Sequence, residues 1–345
     1  MMENKNVEVR DLRVKEKFNL KKFLVRWEMI LFYILILINV VLMISKPNLY
    51  FAAGTIPSII QSGMDLSFMV LGMIFILMLG DIDVSVASIM ILSSMVMGLM
   101  MDAGINSVIA VVCGIIAGGL CGLFNGILVA KVKMPAVIVT IATMSLFRGI
   151  VKIILDVNVL KNFPPIFKTL SWQNLFGFIP LSLICFLIFA AIFAVVLHKS
   201  KFGRELYMIG NNKVASEYSG INVERVKIMA FVIMGIMAAV SAIFFVGRMG
   251  GGVSSTMGKG YELEVIAIAV LGGISTSGGK GKVYGPVIAT LIMAFLSYTL
   301  GLLGVDANTR KIVTGVILII AVLIPNINKQ FFANVKSSFA SKKNK

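Results

Sequence analysis

The sequence predicts an all-α polytopic membrane protein with about ten transmembrane helices and both termini in the cytoplasm. Three observations predict it. Apolar residues make up 58% of the 345 and charged residues only 14%, against roughly 45–50% and 25% in a soluble domain. Long apolar runs recur along the chain, many of them near the roughly 20 residues that a helix needs to cross hydrocarbon. Lys and Arg gather on alternate connections, as the positive-inside rule requires.

Taken in order, residues 1–27 form a polar, basic N-tail, and the first span covers 28–45. A cleaved leader is a poor description of this region. The polar stretch is too long, and the small residues Ala52-Ala53-Gly54 lie well past the apolar run. Further spans are expected at 57–79, 84–101, 105–130, 134–155, 178–198, 226–247, 262–275, 284–304 and 308–325, with a basic C-tail at 326–345. The polar segments are too short to fold separately, so 28–325 reads as one membrane domain.

With both termini inside, the N-tail contributes eight cations, Lys131 and Lys133 two, the 199–227 segment six, Lys280 and Lys282 two, and the C-tail five. That places 23 of the 32 on the cytoplasmic side. A one-span error in the first half would put the six of 199–227 outside and remove most of the bias. Dispersed in this way, the net charge of +16 points to membrane topology and lipid contact, not to nucleic acid.

Gly114, Gly118, Gly122 and Gly126 form a small-residue stripe on the fourth span, which lets a neighbouring helix approach backbone to backbone. Asn125 lies beside it. Cys113, Cys121 and Cys185 sit in apolar runs without metal-ligand or disulfide spacing and read as buried packing residues. Ionisable groups cost at least ~2.5–3.5 kcal/mol at the bilayer centre, which singles out Asp65, Asp81, Asp83, Glu262 and Glu264. Asp81 and Asp83, next to Ser85 and Ser88, either line a cavity at a break between spans or occupy a wet turn at a helix N-terminus. Glu262 and Glu264 open the eighth span, where the helix dipole alone explains acidic residues. Arg148 and Lys152 are placed to snorkel to the interface.

Several function classes are disfavoured. The stretch Gly272–Gly281 resembles a phosphate cradle, but Ile274 stands where a P-loop needs Gly and Gly281 where it needs a hydroxyl. Any ATP-driven step therefore uses another chain. A proton-coupled carrier needs a relay of carboxylates or histidines, and the one histidine, His198, ends a span. A membrane transferase needs clustered acids or a nucleophile with its base, and Asp81-x-Asp83 has no such companion. No metal or cofactor is expected.

The segment 199–227 carries its own signals. Asn212 can cap a helix and Gly220 can end it. The intervening Lys213–Ser219 makes only about two turns, too short to persist alone in water. Lys213, Ser216, Glu217 and Ser219 give it little apolar face for a membrane surface, so a cytoplasmic protein partner is expected.

This segment resembles the cytoplasmic loop of sugar ABC permeases of the ribose, galactose, rhamnose and autoinducer-2 group. Phe202-Gly203-Arg204, Gly210-Asn211-Asn212, Ala215-Ser216 and Ser219-Gly220-Ile221 match its pattern, with Ser216 for a second Ala. LGDIDVSVAS (79–88), FNGILVAKVKMPAVIVTIATMSLFRG (124–149) and GYELEVIAIAVLGGISTSGGKGKVYG (260–285) are similar to three further family segments in the same order. The resemblance covers about 55–325. Arg26-Trp27-Glu28 leans towards the rhamnose and autoinducer-2 members. Asp81 departs from the family's usual Gly, Val84 from Leu and Ala87 from Gly.

The resemblance implies an ABC importer permease fold and the permease subunit of an ATP-driven sugar importer. The implied partners are a separate ATP-binding subunit, an extracytoplasmic sugar-binding protein and a second permease copy or paralogue. Gly203, Arg204, Gly210, Asn211, Asn212, Ala215, Ser219 and Gly220 become the expected ATPase-coupling loop. Asp83, Ser85, Asn125, Thr140, Glu262 and Ser275 become candidates for the translocation pathway. A permease of the same type for nucleosides or branched-chain amino acids is the alternative.

Overall fold

In the computed structural model of the chain, residues 26–326 are described. Residues 1–25 of the expected N-tail and 327–345 of the expected C-tail lie outside them. Fourteen helices and one two-stranded hairpin make up the described residues.

The bundle helices are α1 (Trp27–Ser45), α3 (Thr55–Met78), α4 (Val86–Asp102), α5 (Ser107–Ala130), α6 (Ala136–Leu155), α8 (Leu181–Lys199), α11 (Val223–Arg248), α12 (Tyr261–Leu271), α13 (Tyr284–Leu302) and α14 (Ala307–Asn326). They match the ten expected spans to within a few residues. Seven of them are long and apolar enough to cross a membrane. Among the rest α4 is shorter, and α12 has only 11 residues, about 16 Å of helix against a hydrocarbon core of about 30 Å. Outside the bundle lie α2 (Pro47–Tyr50), α7 (Pro165–Trp172), the hairpin β1 (Asn174–Leu175) with β2 (Ile179–Pro180), α9 (Lys201–Asn211) and α10 (Lys213–Tyr218).

Burial sorts the bundle into layers. In the apolar stretch of α3, 83% of residues are buried, and 61% in α11, against 28% in α5, α6 and α8 and 11% in α1. So α3 and α11 form the centre, and the others turn Ile109, Ile116, Leu120, Ile138, Leu187 and Ile192 outward as lipid-facing surface. Phe68 of α3 stacks on Phe244 of α11 at 4.3 Å and meets Phe186 of α8 edge-on. Small residues bring α5 onto α11. A Cβ on Gly118 would lie 2.5 Å from the Gly235 carbonyl oxygen, and one on Gly122 would lie 2.2 Å from that of Phe231. The glycine stripe is thus a packing device. Cys121 and Cys185 pack on this core, but all three cysteines are half-buried and not fully enclosed as expected, because they sit on helices that keep one side outward.

The connections divide between two ends. At the proximal end, α9 touches the end of α3 and the 272–283 turn, and α10 and the turn at 131–135 line one cleft. At the distal end, α7 rests on the end of α11, where the Ser171 hydroxyl donates to the Phe244 carbonyl at 2.9 Å. Leu160 pairs there with Val253, and Gln61 donates to Asn174.

Candidate functional site

The 199–227 segment is more structured than its sequence announces. Helix α9 follows a Ser200 cap, whose hydroxyl accepts from Gly203 N at 3.0 Å. It buries Gly203, Leu206 and Ile209 at helical spacing and leaves Arg204 exposed. Arg204 folds back to the Lys199 carbonyl. The side chain of Asn212 then caps α10 by accepting from Ala215 N at 3.0 Å, and Gly220 ends that helix region at φ +80°. Of α10, Ser216 is buried, whereas Val214 is 60% and Tyr218 90% exposed, and Ala215 and Ser219 also face outward. The exposed face therefore carries apolar groups four residues apart, more than its polar residues suggested.

Gly210 marks where this segment is anchored. A Cβ there would sit 2.0 Å from the Met78 carbonyl oxygen and 2.3 Å from Gly279 N. Gly279 N itself donates to Met78 O at 2.9 Å, and Asn211 Nδ2 reaches Gly279 O at 3.4 Å. A Cβ on Gly278 would meet Gly80 N at 2.9 Å. The ends of α3 and α9 and the glycine turn before α13 thus touch backbone to backbone. The stretch that imitates a phosphate cradle is one wall of this junction. Tyr207 adds a hydrogen bond from its hydroxyl to Gly281 O at 2.6 Å, with the His198 ring stacked beside it. Trp27 Nε1 donates to Leu271 O at 2.8 Å, and Glu28 pairs with Lys282 at 3.6 Å, so the start of α1 is held on the same turn.

Four of the six pathway candidates converge beside this junction. The Asp83 Oδ1 atom accepts from Ser85 N at 2.8 Å and from Ser85 Oγ at 2.6 Å. Asn125 Nδ2 donates to Ser85 Oγ at 2.8 Å, and Thr140 Oγ1 donates to Ala136 O and reaches Ile82 O at 3.3 Å. All four side chains are buried. The network lies buried between α4, α5 and α6. Asp83 lies in the turn outside the spanning helices. Burial pushes its carboxyl up to about 6, opposed by the two Ser85 donors. Asp83 Oδ2 and Asn125 Oδ1 have no partner among the described residues.

The other two candidates lie elsewhere. Ser275 is in the proximal glycine turn, where its hydroxyl accepts from Ser277 N. Glu262 is at the distal end, capping Gly260 N and pairing with Arg148 at 3.5 Å. Arg148 also donates to the Met257 and Gly258 carbonyls at the distal end. Asp81, the departure from the family pattern, forms an ion pair with Lys227 at 2.5 Å. Asp65 binds Arg248 Nε at 2.9 Å, 183 positions away, a partnership invisible in sequence. Among the described residues, no group of His, Cys, Asp and Glu is arranged to hold a metal ion.

Comparison with known proteins agrees with this geometry. Residues 55–322 match the family described as branched-chain amino acid transport system / permease component. The ribose import permease protein of Bacillus subtilis is 37% identical over 254 residues, which is 73% of this chain and 79% of that protein. Its counterpart in Escherichia coli K12 is 34% identical over 304 residues, 85% of this chain and 91% of the relative. An autoinducer 2 import system permease protein of Escherichia coli is 32% identical over 292 residues, 84% of each chain. No solved structure matches. The chain belongs to this permease family and is a multi-pass cell-membrane component of a transport system, not an enzyme.

Proposed function

We propose that the chain forms the translocation pathway of an ATP-driven, binding-protein-dependent importer of a monosaccharide or autoinducer-2. The similarity to ribose and autoinducer 2 import permeases supports the solute class. The junction at Gly210 is the single observation that carries the mechanism.

In this reading the proximal end is cytoplasmic, ten spans place both termini there, and α10 is the contact for a separate ATP-binding subunit. Val214, Ala215, Tyr218 and Ser219 offer it an exposed face. When the ATPase pair closes, it moves α10 and with it α9. Gly210 has no side chain to act as a cushion, so the movement passes directly to the end of α3 and the turn before α13. Packed interiors have low compressibility and shift as units. A second permease copy or paralogue completes the pathway, and a binding protein delivers solute to the distal end. Asp83, Ser85, Asn125 and Thr140 hold the 79–85 turn in place beside the junction, and Ser275 belongs to the junction.

The test is sugar uptake by the assembled importer with Ala215→Arg. Ala215 is exposed and far from the core, so the variant should keep its fold yet lose uptake and copurification of the ATPase. Full uptake would remove the coupling role from α10.

A further inference from the structure

A second polar site lies at the distal end, where the sequence pointed to isolated carboxylates. A cavity of about 400 Å³ opens between α3, α11, α12, α13 and α14, lined by Arg248, Tyr261, Glu264, Ser297, Tyr298 and Arg310. Its volume falls in the range of about 300–1,000 Å³ usual for small-molecule sites. Arg248 is fixed from behind by buried Asp65 and donates to the Tyr261 hydroxyl. By contrast, the Glu264 carboxylate and the Ser297 and Tyr298 hydroxyls make no hydrogen bond among the described residues. Arg310 Nε is buried without a partner among them. The cavity therefore holds a carboxylate acceptor, hydroxyl groups and a guanidinium whose hydrogen-bonding capacity the fold does not use. Buried polar groups are normally satisfied, and the unpartnered Arg310 Nε calls for an explanation.

Charge narrows the ligand class. Two carboxylates, Asp65 and Glu264, stand with two guanidiniums, Arg248 and Arg310, so the formal charges balance and leave no excess to recruit an anion or a cation. Closely spaced donors and acceptors, beside the rings of Tyr261 and Tyr298, suit a solute with hydroxyls on its edges and an apolar C–H face. We propose that this cavity is a transient binding site for a neutral polyhydroxylated solute of monosaccharide size on its way through the permease. The inference rests on the importer reading above and adds the permease residues that touch the solute.

The test uses the complete importer in cells, with radiolabelled D-ribose, D-galactose and L-rhamnose as probes. Ser297→Cys and, separately, Tyr298→Cys are placed in a chain whose Cys113, Cys121 and Cys185 are replaced by Ser, and labelling by an aqueous thiol reagent is timed. During import of a sugar, labelling at one or both positions should slow severalfold, and Glu264→Gln should abolish that protection. Glu264→Gln should also lower uptake about tenfold, the worth of one hydrogen bond to a charged group, while ATP hydrolysis by the complex continues. Unchanged labelling at both positions by a sugar that the same complex imports would overturn the site and leave the importer reading standing. Failure of the wild-type complex to import any of the three would overturn the monosaccharide ligand class proposed here and leave the importer to autoinducer-2.

Discussion

Replacing Gly210 by Ala is the sharpest perturbation available at the coupling junction. The added methyl would start 2.0 Å from Met78 O and 2.3 Å from Gly279 N. Neither neighbour is a flexible side-chain tip. Both are backbone, and they are joined to each other by the 2.9 Å hydrogen bond. Relief requires α9 to retreat by about 1 Å or the glycine turn to peel from α3. Overpacking of this kind costs about 1–3 kcal/mol, and a broken hydrogen bond adds about 1 kcal/mol. Gly149→Ala in α6 is the matched control, because a Cβ there meets nothing within 4 Å. The assay is uptake in proteoliposomes carrying the whole importer, with ATP hydrolysis measured in parallel. Gly210→Ala should hydrolyse ATP but import at less than a tenth of the wild-type rate, and Gly149→Ala should do both normally. Wild-type uptake by Gly210→Ala, at wild-type Tm, would refute the claim that motion crosses this contact.

The remaining expectations concern the neighbouring elements. Asp83→Ala should impair uptake and lower stability by about 1–3 kcal/mol, because it strands the Ser85 donors in a buried site; thermal unfolding reads this. Asp83→Asn tests the charge separately. A folded value of about 6 against an ordinary 3.8 means that the native turn binds its proton more tightly than the unfolded chain. That contribution is fully present below pH 4 and is lost as pH rises through 6, roughly 3 kcal/mol in all. Wild-type Tm should therefore rise as pH falls through this window, and Asp83→Asn should flatten the slope. Gly122→Ala should cost about 1–3 kcal/mol by forcing α5 off α11, since a Cβ would lie 2.2 Å from Phe231 O. Asp81→Asn removes one charge from an ion pair whose side chains are only 14–15% exposed, which should cost about 1–3 kcal/mol, and an unchanged Tm would show that the pair does not stabilise the fold.

The spans were legible because lipid imposes one rule that local sequence can express: enough consecutive apolar residues to cross it. Even the short α12 was visible, bounded by the glycines at 250–252 and 272–273. The α10 cap was legible because Asn212 and Gly220 act within a few residues of themselves. Helix α9 was missed because Lys201, Arg204 and Glu205 interrupt its hydrophobicity, and only the spacing of Gly203, Leu206 and Ile209 signals a buried face. Helix α7 and the hairpin after it were missed for a related reason. Their stability comes from resting on α11, not from their own pattern. Of the site, Asp83 was legible as an ionisable group in an expensive place, and it is buried. The meeting of the polar residues around it was not visible, because Ser85 comes from the turn before α4, Asn125 from α5 and Thr140 from α6. The Gly210 junction was hidden in the same way. Each of its glycines looks like an ordinary turn or helix residue until three distant segments are superposed.

The placement of α3 joins the two ends of the molecule. Its last residue, Met78, is held in the proximal junction, and Asp65, 13 positions earlier, grips Arg248 beside the distal cavity. At 1.5 Å per residue the two points are about 20 Å apart on one helix. Between them the helix is enclosed: a Cβ on Gly72 would strike Met234 at 2.8 Å, and Phe68, Met69, Leu71, Met73 and Ile74 are all buried. A helix so confined cannot absorb displacement by bending into free space, and it contains no proline after Pro57 at which to kink. In the proposed mechanism, movement applied at Met78 would reach Asp65 as a shift or rotation of the whole rod. At that end it meets an ion pair, which responds to a small change in angle or distance more sharply than an apolar contact does. Under the proposed coupling, the helix that receives the push at Met78 is also the one that carries the Asp65 carboxylate bound to Arg248. A carboxylate costs stability in such a buried place, and this position gives it a use that packing alone would not.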